Sequence, residues 1–133
     1  MIPKFRAYSV EENIMYYPDE DKNVEWTIDD DTGFIAPLIN LENGMWGMID
    51  KYVLMQSTGL KDKNGVEIFE GDVLYYIPFE SHINDSIVVF EKGSFCKKML
   101  RNGKLTSVRF IDSEEYEVIG NVYENPELLE VAE

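Results

Sequence analysis

Apolar and polar positions alternate along this chain in short runs with a period of two, and glycine, asparagine or aspartate interrupts them about every ten residues, the pattern of strands and not of helices. Residues 5–9 and 14–17 flank Val10-Glu11-Glu12-Asn13, whose polar residues suit a turn, so the start predicts a hairpin stopped by Pro18. Val24, Trp26 and Ile28 alternate with Glu25 and Thr27 as in a half-buried strand, which Asp29-Asp30-Asp31-Thr32-Gly33 ends. Residues 34–41 predict another strand, with Pro37 placing it at a sheet edge, and Asn43-Gly44 predicts a turn.

The second half is more regular. Residues 52–56 form an apolar strand leading through Ser57-Thr58-Gly59-Leu60 into Lys61-Asp62-Lys63-Asn64-Gly65, whose Asn-Gly pair favours a tight hairpin tip. In Ile68-Phe69-Glu70-Gly71-Asp72-Val73, Gly71 can take a positive φ and Asp72 can hydrogen-bond the turn backbone before residues 73–77 resume a strand. Residues 86–91, 95–100 and 105–111 continue a meander, with Asn102-Gly103 as a second tip. Residues 117–123 predict a last strand kinked at Gly120, and Asn125-Pro126 caps and opens one short helical turn. The expected fold is mainly β: an irregular β-rich part over residues 1–54, then an SH3-like small β-barrel over 55–133 with a short C-terminal helical turn.

Three motifs give this pattern a family likeness. They are Lys4-Phe5-Arg6-Ala7-Tyr8; the run from Met55 to Gly65 continued by Ile68-Phe69-Glu70-Gly71-Asp72-Val73; and Glu117-Val118-Ile119-Gly120-Asn121-Val122-Tyr123-Glu124-Asn125-Pro126-Glu127-Leu128-Leu129. Together they resemble the YopX family of phage and prophage proteins, departing from it at Tyr8, where the family usually has Trp, and at Ser57, where an aromatic is common. The resemblance implies a small, mostly β protein from a phage or prophage whose C-terminal part is an SH3-like barrel. It implies no reaction, cofactor or catalytic residue, and the shared Gly, Asn-Gly and Glu-Gly-Asp positions are accounted for by turn geometry.

Composition sharpens the picture through charge. Against 26 Asp and Glu the 133 residues carry 12 Lys and Arg, a formal net charge of −14, while 44% apolar residues are enough for a real core. The excess lies in two blocks, nine acids and one base over residues 11–31 and eight acids with no base over 112–133. Between them Lys92, Lys97, Lys98, Arg101, Lys104 and Arg109 accompany only Glu91 over residues 91–111. Lys97, Lys98, Arg101 and Lys104 are therefore the candidate partner contacts: they form a solvated face, or meet the acidic blocks within one chain, or face an acidic block of a second copy, while the acidic blocks themselves suit a basic protein partner. Direct nucleic-acid binding is not expected, because phosphate contacts draw on Lys and Arg and −14 repels a polyanion. No signal-like start and no membrane-length apolar run occur, so a cytoplasmic location and no membrane partner are expected.

Candidate chemistry is sparse. Asp31-Thr32-Gly33 spells the aspartic-protease triplet, but Asp29 and Asp30 stand where such a site needs a dry apolar strand. Asp19, Asp21, Asn23, Glu25, Thr27 and Asp30 fall at the ligand spacing of a calcium loop, yet Val24 replaces its turn glycine and Asp30 its bidentate glutamate. The single histidine, His82, has no second imidazole with which to form a metal pair, and the single cysteine, Cys96, is read as a small buried hydrophobe on a strand. The aromatics Tyr75, Tyr76, Phe79, Phe90 and Phe95 are read as core and barrel-face residues, with a binding groove formed by a few of them as the alternative. No catalytic, cofactor-binding or metal-binding residue is expected. The reading is a non-enzymatic interaction module able to self-associate, with an acidic, DNA-mimicking inhibitor of a host DNA-binding enzyme as the alternative.

Overall fold

The computed structural model describes residues 4–18, 24–28, 35–40, 46–48, 52–79 and 81–129. Within them the chain is mainly β and divides into two compact units, Met1–Gln56 and Ser57–Glu133. The Asp31-Thr32-Gly33 triplet, the Asn43-Gly44 turn and most of the calcium-like loop lie outside the described residues.

In the first unit β1 (Phe5–Ser9) and β2 (Ile14–Tyr16) form the expected hairpin, and Asn13 takes the left-handed conformation (φ 59°) that an asparagine tolerates at its tip. Ser9 Oγ accepts a bond from Glu12 N–H there at 3.3 Å. β1 also pairs antiparallel with the first half of β6 (Tyr52–Lys61), from Phe5 opposite Gln56 to Ser9 opposite Tyr52. Ala7, Tyr8 and Met55 are buried, and so is Arg6, whose guanidinium reaches Tyr17 Oη and Met55 Sδ.

A separate three-stranded sheet has the order β3 (Val24–Ile28), β4 (Ile35–Asn40), β5 (Trp46–Met48). Pro37 was expected to set its strand at an edge; β4 is instead central. The resolution is local: β5 pairs only with Leu38–Asn40, so Pro37, opposite Trp26 of β3, meets no strand on its other side and its missing N–H breaks no ladder there.

The second unit opens with the hairpin of β6 and β7 (Glu67–Phe69) and continues through β8 (Asp72–Tyr76), β9 (Ser86–Glu91), β10 (Ser94–Met99), β11 (Leu105–Ser107) and β12 (Tyr116–Asn121). The five-stranded antiparallel sheet has the order β11-β10-β9-β8-β12. Lys92 and Gly93, both at positive φ, make the two-residue turn between β9 and β10 that matches strand twist. Ile68, Leu74, Val88 and Tyr116 are the buried core, flanked by Leu60, Tyr76, Ile111 and Val118. The strand expected over 105–111 stops at Ser107, and a 3-10 turn (Val108–Phe110) follows.

Four polar side chains hold this unit's turns. Asp62, 4% exposed, accepts Asn64 N–H (2.8 Å) and Val66 N–H (2.9 Å) through Oδ1, closing the β6–β7 tip, and Val118 N–H (2.9 Å) of β12 through Oδ2. Asp72 Oδ2 accepts Phe69 N–H at 2.7 Å across a turn where Gly71 sits at φ 90°, and Gly71 in turn donates to Val88 O and accepts from Val122 N–H. After the bulge at Val118–Gly120, Asn121 Oδ1 takes both Tyr123 and Glu124 N–H, while Asn125 Oδ1 takes Asn121 N–H. A Cβ at Gly120 would stand 2.5 Å from that Asn125 oxygen, so only glycine fits.

Removing the Asp62 carboxylate leaves three backbone N–H groups without their acceptor. Asp62→Ala is therefore expected to lower the unfolding free energy by about 3 kcal/mol in urea titration, since each lost hydrogen bond costs on the order of 1 kcal/mol. Gly120→Ala, which displaces Asn125, is expected to cost about 2 kcal/mol in the same measurement, the usual range for overpacking a tight site.

Candidate functional site

His82 and Cys96 are held in different surroundings. His82 lies in a 3-10 turn (His82–Asn84) between β8 and β9, with its side chain 73% exposed, its ring 4.9 Å from that of Tyr75 and Nδ1 2.9 Å from Asp85 Oδ2. Cys96, half-buried on β10, has Ser94 Oγ and Ser94 O at 3.9 Å as its polar neighbours, and neither is a base that would make a nucleophile of the thiol. Among the described residues no three of His, Cys, Asp and Glu gather to hold a metal ion. No helix there is long and apolar enough to cross a membrane.

Asp85 is the more unusual member of the histidine pair. It is 6% exposed, its Oδ1 is buried, and its backbone ties the 3-10 turn to the next hairpin by accepting Leu100 N–H at 3.0 Å. Burial raises its carboxyl above the ordinary 3.8, and the hydrogen bond and charge of His82 offset this only in part.

The expected contact residues separate into two groups. Lys97 is half-buried and committed: Nζ donates to Tyr116 Oη at 2.9 Å and lies 5.1 Å from that ring's centre, closing over the core. Lys98, Arg101 and Lys104 are exposed, and among the described residues no carboxylate pairs with them. They ride on a firmly built turn between β10 and β11. Met99 N–H donates to Lys104 O (2.9 Å), Gly103 N–H to Met99 O (2.8 Å) and Lys104 N–H to Asn102 Oδ1 (2.9 Å), with Gly103 at φ 70°. The aliphatic stem of Lys98 lies against Gly103.

At the opposite end of β10 and β11 from this turn is a groove of about 370 Å³ lined by Thr58, Leu60, Phe90, Phe95, Val108 and Arg109, among others. Phe90, 49% exposed, meets Phe95 edge-on at 5.0 Å across the β9–β10 pair, so two rings expected in the core or on the barrel face form one wall of an open depression. The Thr58 hydroxyl is directed inward to Ile68 O at 2.8 Å. Thr58, Leu60 and Val108 carried no signal in the sequence as site residues, because only the pairing of distant strands brings them together.

A family model described as YopX protein matches residues 4–130. The chain belongs to the YopX family. Protein EF1440 from Enterococcus faecalis, a solved structure, is 36% identical over 98% of this chain and 99% of its own, with a TM-score of 0.65. The YopX protein of Bacillus subtilis is 23% identical over the whole of both chains, with a TM-score of 0.72, and shares the fold. No curated protein matches the chain. The motifs that carry the YopX resemblance supply Asp62, Gly71, Asp72, Gly120, Asn121 and Asn125, the residues that hold the turns, whereas Lys98, Arg101 and Lys104 lie outside them.

The raised Asp85 carboxyl has a definite sign in stability. Its folded form binds the proton more tightly than the unfolded chain does, so its contribution is favourable below the ordinary value and is lost as pH rises through the raised one. Asp85→Asn, which keeps an acceptor for His82 without the charge, is expected to gain relative to the parent as pH rises from about 3.5 to about 7, followed by urea melts across that window.

Proposed function

We propose that the chain is a non-enzymatic protein-interaction module, a phage or prophage accessory protein acting in the bacterial cytoplasm, whose contact surface is the basic turn between β10 and β11. The observation that carries this reading is the set Lys98, Arg101 and Lys104, exposed and without a carboxylate partner among the described residues, on an ordered turn of a chain whose net charge is −14. Solvated cations contribute little to the stability of the unit that bears them. They steer and orient encounters with an acidic protein surface. A second copy supplies such a surface, so the module self-associates. The return of β12 to pair with β8, the first strand of the meander, supports reading the second unit as a small SH3-like barrel, a scaffold that presents its turns rigidly. The alternative of a DNA-mimicking inhibitor rests on net charge alone.

Light scattering and retention on immobilised poly-glutamate test this at about 0.05 M and about 0.5 M salt, between which the Debye length shrinks about threefold. The parent chain is expected to exceed monomer mass and to be retained at low salt, and to lose both at high salt. The triple variant Lys98→Glu, Arg101→Glu, Lys104→Glu is expected to be a monomer that poly-glutamate does not retain. A parent chain that is strictly monomeric and unretained at low salt overturns the reading.

A further inference from the structure

The five-stranded sheet has two outer strands, and they differ in how their backbone groups are met. On β12 the hairpin tip of β6 and β7 takes up the outward side: Lys63 N–H donates to Tyr116 O at 3.0 Å, and Val118 N–H donates to Asp62 Oδ2. β11 has no such cover among the described residues. Its register fixes which groups face outward. Met99 and Lys104 are bonded, so the antiparallel alternation makes Lys97 and Thr106 the next bonded pair and turns Leu105 N–H, Leu105 C=O and Ser107 N–H away from the sheet.

This open edge is continuous with the groove, since Ser107 and the Val108 and Arg109 that follow it line the depression walled by Phe90 and Phe95. Arg101 and Lys104 stand at the other end of the strand. The three features together, outward backbone groups, an aromatic pocket and the exposed cations Arg101 and Lys104 at the start of the strand, match what an extended segment needs when it adds to a sheet edge: main-chain bonds for affinity and a side-chain pocket for selection. The sign of the charge selects further. A second β11, from another copy, carries no carboxylate over residues 101–109 to set against Arg101 and Lys104, which disfavours edge-to-edge self-pairing here.

We propose that β11 is a docking edge for an extended, acidic segment of a partner protein, which pairs with Leu105 and Ser107, seats a large apolar side chain against Phe90 and Phe95, and sets its carboxylates beside Arg101 and Lys104. This rests on the reading of the chain as an interaction module and names the class of partner.

Fluorescence anisotropy with a labelled Ser-Glu-Phe-Glu-Val-Glu-Ser peptide tests it, alongside one peptide with Lys in place of each Glu and one with Ser in place of Phe and Val. Ser107 has φ −61°, the value a proline ring imposes, so Ser107→Pro removes the outward N–H without disturbing the bonds to β10. The acidic apolar peptide is expected to bind, and both control peptides to bind at least about tenfold more weakly. Ser107→Pro and, independently, Phe90→Ala, whose half-exposed ring the fold does not require, are each expected to weaken binding about tenfold at unchanged melting temperature.

Four outcomes overturn the proposal. The acidic apolar peptide failing to bind does so, as does binding that survives both substitutions. Equal binding of the basic peptide, or self-association of the chain abolished by Ser107→Pro, does the same, the last because it would make a second copy the occupant. If both substitutions are silent while charge reversal at Lys98, Arg101 and Lys104 still releases the protein from poly-glutamate, strand addition falls and the interaction-module reading stands.

Discussion

The Asp62 carboxylate is the constraint on which the second unit's shape depends. A single buried side chain accepts three backbone N–H groups, two from its own hairpin tip and one from β12, 56 positions later in the chain. An acceptor without hydrogens of its own suits this position, because every neighbour aimed at it is a donor and an unmet donor in a buried site is costly. The consequence reaches beyond the turn. By holding the tip of β6 and β7 against β12, Asp62 closes one edge of the five-stranded sheet, and β11 is the outer strand left uncovered among the described residues.

Asp72 and Asn121 repeat the same solution on a smaller scale, each using a short side chain to satisfy backbone groups that a turn would orphan. Glycine appears where those side chains leave no room or demand a left-handed backbone, as at Gly71 and Gly120. Such chemistry is local, and so it was legible. The tips at Asn64-Gly65 and Asn102-Gly103, the kink at Gly120 and the short helical turn after Asn125 could all be read from adjacent residues, and with them the mainly β class and the family. What could not be read depends on partners remote in sequence. β4 is central despite Pro37 because β5 stops short of it. β11 ends early because a 3-10 turn, with no capping signal in its side chains, takes over at Val108.

The candidate site shows the same division. Charge counting found the basic stretch, but it could not separate Lys97, committed to Tyr116, from the solvated cations Lys98, Arg101 and Lys104, since that depends on β10 and β12 being brought within reach across the sheet. Nor could it tell which of the five aromatics wall an open groove, Phe90 and Phe95, because an aromatic on a strand carries the same sequence signal on either side of a sheet.

A short outer strand flanked by basic side chains is also how soluble proteins keep sheet edges from pairing indiscriminately. That role and selective docking share one physical basis. Arg101 and Lys104 at the start of β11 raise the energy of any approaching strand that is basic, and they confer nothing on one that is neutral; only an acidic strand turns their presence into attraction. In a chain of net charge −14 the surrounding acidic surface repels that same strand at long range, so the cations must prevail within about a Debye length. Recognition on these terms is short-ranged and salt-sensitive. It favours a segment whose acids are confined to the stretch that lies along β11.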